Sequence, residues 1–301
     1  MDQVELVRQL DALFDVAEFD ESEAWDFALN ETDRAVLQRY AAPAFLDGTW
    51  NGLMLDNARE VERVYLAVFP SRPVLDMAIA REIDRRASGA IIFTHHLVAY
   101  DPAHGFSAIP EAQLADLQEQ KISLYVCHGP LDCHAEISTG EALARALRLH
   151  DLNRFAFYVN GYTGVWGSVK SAPFHAFAER LATVCEMRSL RYDQVCHNGH
   201  MVQKVAIVPG GGDDPDLINE AQELGCDTYV TGEWWPYRDG EWAAQQRIRL
   251  SDLIPCLSMN LLGSSHYSSE LVELRDQMLG WFKDLGIDSQ LLREPSEAPA
   301  G

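Results

Sequence analysis

The chain has 301 residues, 47% of them apolar, and its 24 basic against 46 acidic side chains give a formal charge of −22. That length and apolar share can fill one large core or two moderate ones, while so acidic a surface repels phosphodiester backbones and shows no basic patch for nucleic acid. The apolar runs are short and punctuated, which excludes a membrane-spanning helix on sequence grounds.

MDQVELVRQLDALFDVAEFDE (1–21) reads as an acidic amphipathic helix pattern with no basic start, and not as a signal peptide. VERVYLAVF (61–69) reads as a strand and PVLDMAIAREIDRRA (73–87) as a helix with Pro73 in its first turn. AIIFT (90–94) is a strand, AQLADLQEQ (112–120) a helix and ISLYVCH (122–128) a strand. Ser138 and Glu141 then have capping-box spacing ahead of an apolar helical face. RFAFYVNGYTGVWGSV (154–169) suggests extended segments and turns, and FHAFAERLATVCEM (174–187) a helix.

A second alternating block follows. KVAIVPGGG (204–212) is a strand entering a glycine turn, PDLINEAQELG (215–225) a helix and DTYVTGE (227–233) a strand. LIPCLSMNLLG (253–263) holds another buried strand, and SSELVELRDQMLGWFKDLG (268–286) has the apolar spacing of one helix. The expected organisation is an N-terminal α/β lobe over 1–150, a mixed middle segment over 151–203, a C-terminal α/β lobe over 204–290 and a disordered tail over 291–301. The six cysteines form no C-x-x-C pair, which points to thiols in a reducing cytoplasm.

The chemistry-bearing residues recur at strand ends. His95 and His96 follow AIIFT, His128 and Asp132 follow ISLYVC, and His266 and Glu270 follow the strand within LIPCLSMNLLG. Ligands of open α/β sheets bind past the carboxyl ends of strands. His266 and Glu270, four apart at a helix start, share one face. Adjacent residues leaving a strand point in opposite directions, so His95 and His96 serve one ion only if the chain turns sharply, and otherwise two ions. Imidazoles with two carboxylates suit zinc, iron or manganese. Any one of these histidines reads equally as a turn residue, and Glu270 as an N-terminal helix charge. Recurrence at three strand ends is what carries the metal reading.

THH after an apolar strand, H-x-x-L-D after the next, a G-G-G turn, a T-G-E strand end and a closing G-x-x-H-Y-x-S-E together resemble the Nif-three-like family over roughly residues 48 to 285. NGL (51–53) resembles that family's opening D-N-V-G-L, with Trp50 in the place of its aspartate. Leu97 stands where the family usually has proline, Phe69 where the first strand often ends in aspartate, and Glu233 where T-G-D ends. The resemblance implies two interlinked α/β lobes with a dinuclear metal site between them; no large insertion separates the lobes here, unlike in the family's longer members. It implies His95, His96, Asp132, His266 and Glu270 as metal ligands for two divalent ions per chain, with His128 near the site. It also implies a toroidal homohexamer, some members being known as a GTP cyclohydrolase of a second type.

Two cations about 3.5–4 Å apart lower the pKa of bound water towards neutrality and favour hydrolysis of a small molecule, such as opening a cyclohydrolase- or amidohydrolase-type C–N bond. Glu233 and His134 are the candidate proton carriers, and His128 would orient Asp132 or donate to substrate. Each of the three also reads as a structural residue. The alternative from another class is a carrier, insertase or regulator that uses the same ligands without turnover. VPGGGDDPD reads as a strand-to-helix turn rather than a phosphate cradle, because Asp213, Asp214 and Asp216 oppose an anion. CHNGH (196–200) reads as a hairpin turn, with His197 or His200 as pocket-lining alternatives.

Overall fold

RVYLA, AIIFT and ISLYV are buried along their whole length, the pattern of parallel strands covered on both faces. In the computed structural model, which describes residues 1–86, 89–190, 195 and 201–295, they lie in the first of two five-stranded sheets. The strands up to Val126 are β1 (Gly52–Leu55), β2 (Arg63–Ala67), β3 (Ala90–Thr94), β4 (Ala99–Asp101), β5 (Gly105–Ser107) and β6 (Ile122–Val126). There follow β7 (His150–Tyr158), β8 (Gly161–Ala172), β9 (Val202–Val208), β10 (Thr228–Thr231), β11 (Asn260–Gly263) and β12 (Asp288–Leu291).

The first sheet has the order β1-β6-β3-β2-β12, with β6, β3, β2 and β12 parallel and β1 antiparallel at the edge. The second has the order β11-β10-β9-β8-β7, with β11, β10 and β9 parallel and the β7–β8 hairpin antiparallel. A small hairpin, β4–β5, follows the histidine pair. Among the described residues the chain divides into two compact units: Met1–Asp101 with Gly105–His134 and residues 274–295, and Ala135–Glu273 with Pro102–His104.

The α/β class and its alternating strands are as expected, but the boundaries are not. The first unit ends at His134 rather than at 150, and residues 151–203 are no separate segment, since β7 and β8 belong to the second sheet. The expected C-terminal lobe loses its end: β12 pairs with β2, and Phe282 packs edge-on against Phe93. The expected tail is ordered through its first residues, where Leu291 ends β12 and Leu292 is buried; residues 296–301 lie outside the described residues. The expected single helix over 268–286 is an α-helix His266–Glu273, a π-helical stretch Leu274–Met278 and an α-helix Leu279–Asp284.

Local signals account for several helix starts. Ser71 caps the helix Arg72–Arg85 by accepting from the Val74 amide, with Pro73 in the first turn. The Ser138 hydroxyl accepts from the Glu141 amide at 3.1 Å and starts the helix Thr139–Ala146. Asp214 likewise caps Pro215–Glu223. The parallel topology then does the positioning. β3 and β6 are parallel neighbours, so their carboxyl ends open on one edge; β9, β10 and β11 do the same in the second sheet.

Candidate metal centre

His95 and His96 leave β3 through a bend at His95. Their amides donate to the Ala67 and Val68 carbonyls at 3.1 and 2.9 Å, so the β2–β3 pairing grips the backbone beyond the strand. The sharp turn that a shared role requires is therefore present, and the two rings stand 4.5 Å apart at 74°. His128 follows the neighbouring β6, with its ring 5.0 Å from that of His95 and 4.9 Å from that of His96. One ring nitrogen from each of the three lies within 4.8 Å of the others, a separation at which they could hold one ion.

The two ring nitrogens of His95 have different partners. Nδ1 lies 2.9 Å from the Cys127 carbonyl, a contact that requires the proton on Nδ1 and leaves the lone pair on Nε2. Nε2 stands 3.5 Å from Asp132 Oδ2, on the short helix Gly129–Cys133. That is long for a charge-assisted hydrogen bond, yet ligand atoms on one tetrahedral ion stand about 3.3–3.5 Å apart. Phe69, two residues past the end of β2, stacks on His96 at 4.4 Å and 23° and so forms its wall.

Two further residues of this unit act on the cluster without having been singled out as site residues. The buried Glu21 carboxylate lies 2.6 Å from His128 Nδ1, and Asn51 Oδ1 accepts from the His128 amide at 2.9 Å. Asn51 could have been found through the NGL motif. Glu21 sits in an ordinary acidic stretch and carried no signal.

In the second unit, His266 opens the helix His266–Glu273 and Glu270 follows one turn later, both buried. His266 Nε2 and Glu270 Oε1 are 3.2 Å apart. Burial alone would push the His266 imidazole down, but the Glu270 carboxylate, joined by Glu233, holds its pKa above the ordinary value. The glycine turn is shaped around this pair. Gly210 has φ +69°, and a Cβ there would lie 2.1 Å from Glu270 Oε1. A Cβ on Gly232 would come within 2.8 Å of the His266 Cα. The Gly210 and Gly212 amides donate to the hydroxyls of Ser269 and Thr231, in keeping with a structural turn rather than a phosphate cradle.

Glu233 is buried just past β10, its amide bonded to the Gly210 carbonyl and its carboxylate 3.7 Å from Arg238. Arg238 also reaches Asp213 at 2.9 Å. Burial raises the Asp213 carboxyl, and the guanidinium only partly opposes it. His134 is not among the three clustered imidazoles: it caps the end of the helix Gly129–Cys133 and packs edge-on against Phe14 at 5.5 Å. Trp234 belongs to the second unit's core and Trp166 packs against it, with Lys204 Nζ 4.1 Å from the Trp166 ring. CHNGH (196–200) lies outside the described residues.

The donors are of the kinds that could hold a metal ion. The first unit offers three imidazoles and the Asp132 carboxylate, and the second an imidazole–carboxylate pair, all on short elements held by backbone hydrogen bonds.

A family model described as Duf34/NIF3 (NGG1p interacting factor 3) matches residues 29–277. A GTP cyclohydrolase 1 type 2 homolog of Haemophilus influenzae is 27% identical over 208 residues, covering 67% of this chain and 77% of that protein. One of Pyrococcus abyssi is 25% identical over 258 residues, covering 84% and 92%. Among solved structures, the ybgI protein has a TM-score of 0.68 at 19% identity, with all of both chains covered. A protein of Thermus thermophilus has a TM-score of 0.63 at 22% identity, covering 98% and 99%.

Proposed function

This chain belongs to the Duf34/NIF3 family, and on that premise we propose that His95, His96, Asp132, His266 and Glu270 are ligands of divalent ions, two per chain, of zinc, iron or manganese, and that the protein hydrolyses a small molecule. The observation that carries the reading is the His95 geometry, with Nδ1 tied to a backbone carbonyl and Nε2 at ligand spacing from Asp132. When bound, such ions supply Lewis acidity and a nucleophile at neutral pH.

The chain's own groups do the rest. The Cys127 carbonyl holds the His95 tautomer, and Phe69 holds the His96 ring and keeps water from one face of it. Opening a C–N bond leaves a nitrogen that must gain a proton. Glu233, 3.7 Å from Arg238, is the group to take a proton from the attacking water and pass it to that nitrogen, with His134 the other candidate. The relatives named for GTP cyclohydrolase favour a C–N bond in a ring as the target. By the resemblance, the chain works as a homohexamer in the cytoplasm on a small-molecule substrate, without nucleic acid or membrane. No helix among the described residues is long and apolar enough to cross a membrane.

A carrier or insertase is the second reading. What favours it is enclosure, since His95, His96, His266 and Glu270 are each 5% exposed or less. Elemental analysis of the purified protein, followed by a hydrolase screen over cyclic amides, nucleotides and phosphoesters with added Mn, Fe or Zn, tests both. Two ions per chain and a metal-dependent turnover lost in Glu270→Ala support the hydrolase. Two ions without any turnover support the carrier, and no bound ion at all refutes both. A monomer in sedimentation at micromolar concentration refutes the hexamer.

A further inference from the structure

The segment preceding residue 29 lies outside the stretch matched by the family model, yet it supplies the buried partner of a histidine in the cluster. The Glu21 side chain is fully enclosed. Its Oε1 lies 2.6 Å from His128 Nδ1, and its Oε2 accepts from Asn51 Nδ2 at 2.7 Å and from the Gly129 amide at 2.9 Å. Asn51 closes the loop by accepting from the His128 amide through Oδ1 at 2.9 Å. Trp25, from the same segment, lies edge-on to His128 with ring centroids 5.0 Å apart.

A buried carboxylate is costly unless its oxygens are satisfied. Here these three donors come from the two residues that frame His128 and from the ring itself. A bond from Nδ1–H to Glu21 leaves the neutral imidazole with its lone pair on Nε2, the atom a cation can use. His128 keeps 20% of its side chain exposed, while its carboxylate partner keeps none, so the pair is dry on one side and open on the other.

We propose that Glu21 is a positioning residue that locks His128 in the Nδ1–H form and makes it a further imidazole donor to the divalent ions. The N-terminal segment is thereby part of the metal site. This inference rests on the two-metal reading above. A carboxylate behind a ligand imidazole raises its basicity and fixes its orientation, and losing one costs about 10–100-fold in metal affinity.

The test is Co(II) binding to the full-length protein, read by chelator competition and by the visible absorption of the bound ion. Wild-type protein that takes up no Co(II), Zn(II) or Mn(II) overturns the two-metal reading and this inference with it. With wild-type binding established, Glu21→Gln is expected to weaken Co(II) about 10–100-fold and shift the cobalt spectrum, with Glu21→Asp recovering part of both. His128→Ala should show a comparable loss, and the double variant little more than either single one. A Glu21→Gln protein that is less stable but has wild-type affinity and spectrum overturns the inference and leaves the two-metal reading standing. Should Glu21→Gln not fold, His128→Ala with unchanged affinity and spectrum overturns it equally.

Discussion

The His95 imidazole and the Asp132 carboxylate meet at 3.5 Å through Nε2 and Oδ2, while Nδ1 of the same ring is committed to the Cys127 carbonyl. The ring cannot flip without losing that bond, so a cation placed at Nε2 finds the lone pair already aimed. Asp132→Asn keeps the shape and removes the charge. The expected outcome is a loss of at least about tenfold in divalent-ion affinity, checked by chelator competition. Undiminished affinity would remove Asp132 from the ligand set.

Gly210 is fitted around the His266–Glu270 pair. Gly210→Ala places a methyl 2.1 Å from Glu270 Oε1 and 3.0 Å from His266 Nε2, at a φ of +69° that an alanine adopts at a cost of about 1–2 kcal/mol. The variant should melt earlier and bind less metal, because Glu270 must swing aside. Gly211→Ala is the control, since a Cβ there meets nothing nearer than 3.7 Å. Equal metal content and melting in the two variants would contradict this account.

Glu82 is the acid of a buried pair. It accepts from Arg63 Nε and Nη2 at 2.8 and 2.7 Å and from the Tyr65 hydroxyl at 2.7 Å. Burial pushes its carboxyl up, yet the Arg63 and Tyr65 hydrogen bonds win and the pKa lies below the ordinary glutamate value. An acid held lower in the folded state adds stability above its unfolded pKa, about 4.3, and that stability is lost as pH falls through the folded value. Glu82→Gln takes the buried carboxylate away from Arg63, which keeps the largely exposed Glu62 carboxylate at 3.2 Å, and should cost about 3 kcal/mol at pH 7. Denaturant melts should show the gap to wild type closing below about pH 4. A gap independent of pH from about 3 to 7 would show that the charge is not the source.

The C-terminal return is structural. β12 pairs in parallel with β2, Leu292 donates to the Leu66 carbonyl at 2.8 Å, and the Ser71 hydroxyl donates to Glu294 at 2.7 Å. A chain ending before Asp288 loses these bonds and the burial of Leu292, and should be destabilised by about 3 kcal/mol or more. Calorimetry on the truncated chain checks this. An unaltered melting profile would mean that β12 adds nothing to the first sheet.

Much of the fold was legible because its causes are local. AIIFT ends where β3 ends, since an apolar run followed by polar residues needs no distant information. Ser71, Ser138 and Asp214 announce helix starts because a side-chain oxygen satisfies an amide two or three residues away. DSQL, by contrast, has no apolar alternation; it is a strand because β2 offers it an edge to pair with. The helix over 268–286 has the right periodicity, and nothing in that period signals the π-helical stretch Leu274–Met278.

The candidate site divides the same way. The residues by themselves placed His95, His96, Asp132, His266 and Glu270 just past strand ends, because strand termini can be read from hydrophobic patterning. They could not say that β3 and β6 lie side by side and parallel, which is what gathers the imidazoles of the first unit on one edge. Nor could they pair Glu21 with His128, 107 positions apart. A buried carboxylate takes its partner from whatever the packed chain brings within about 3 Å, and only the tertiary structure decides that.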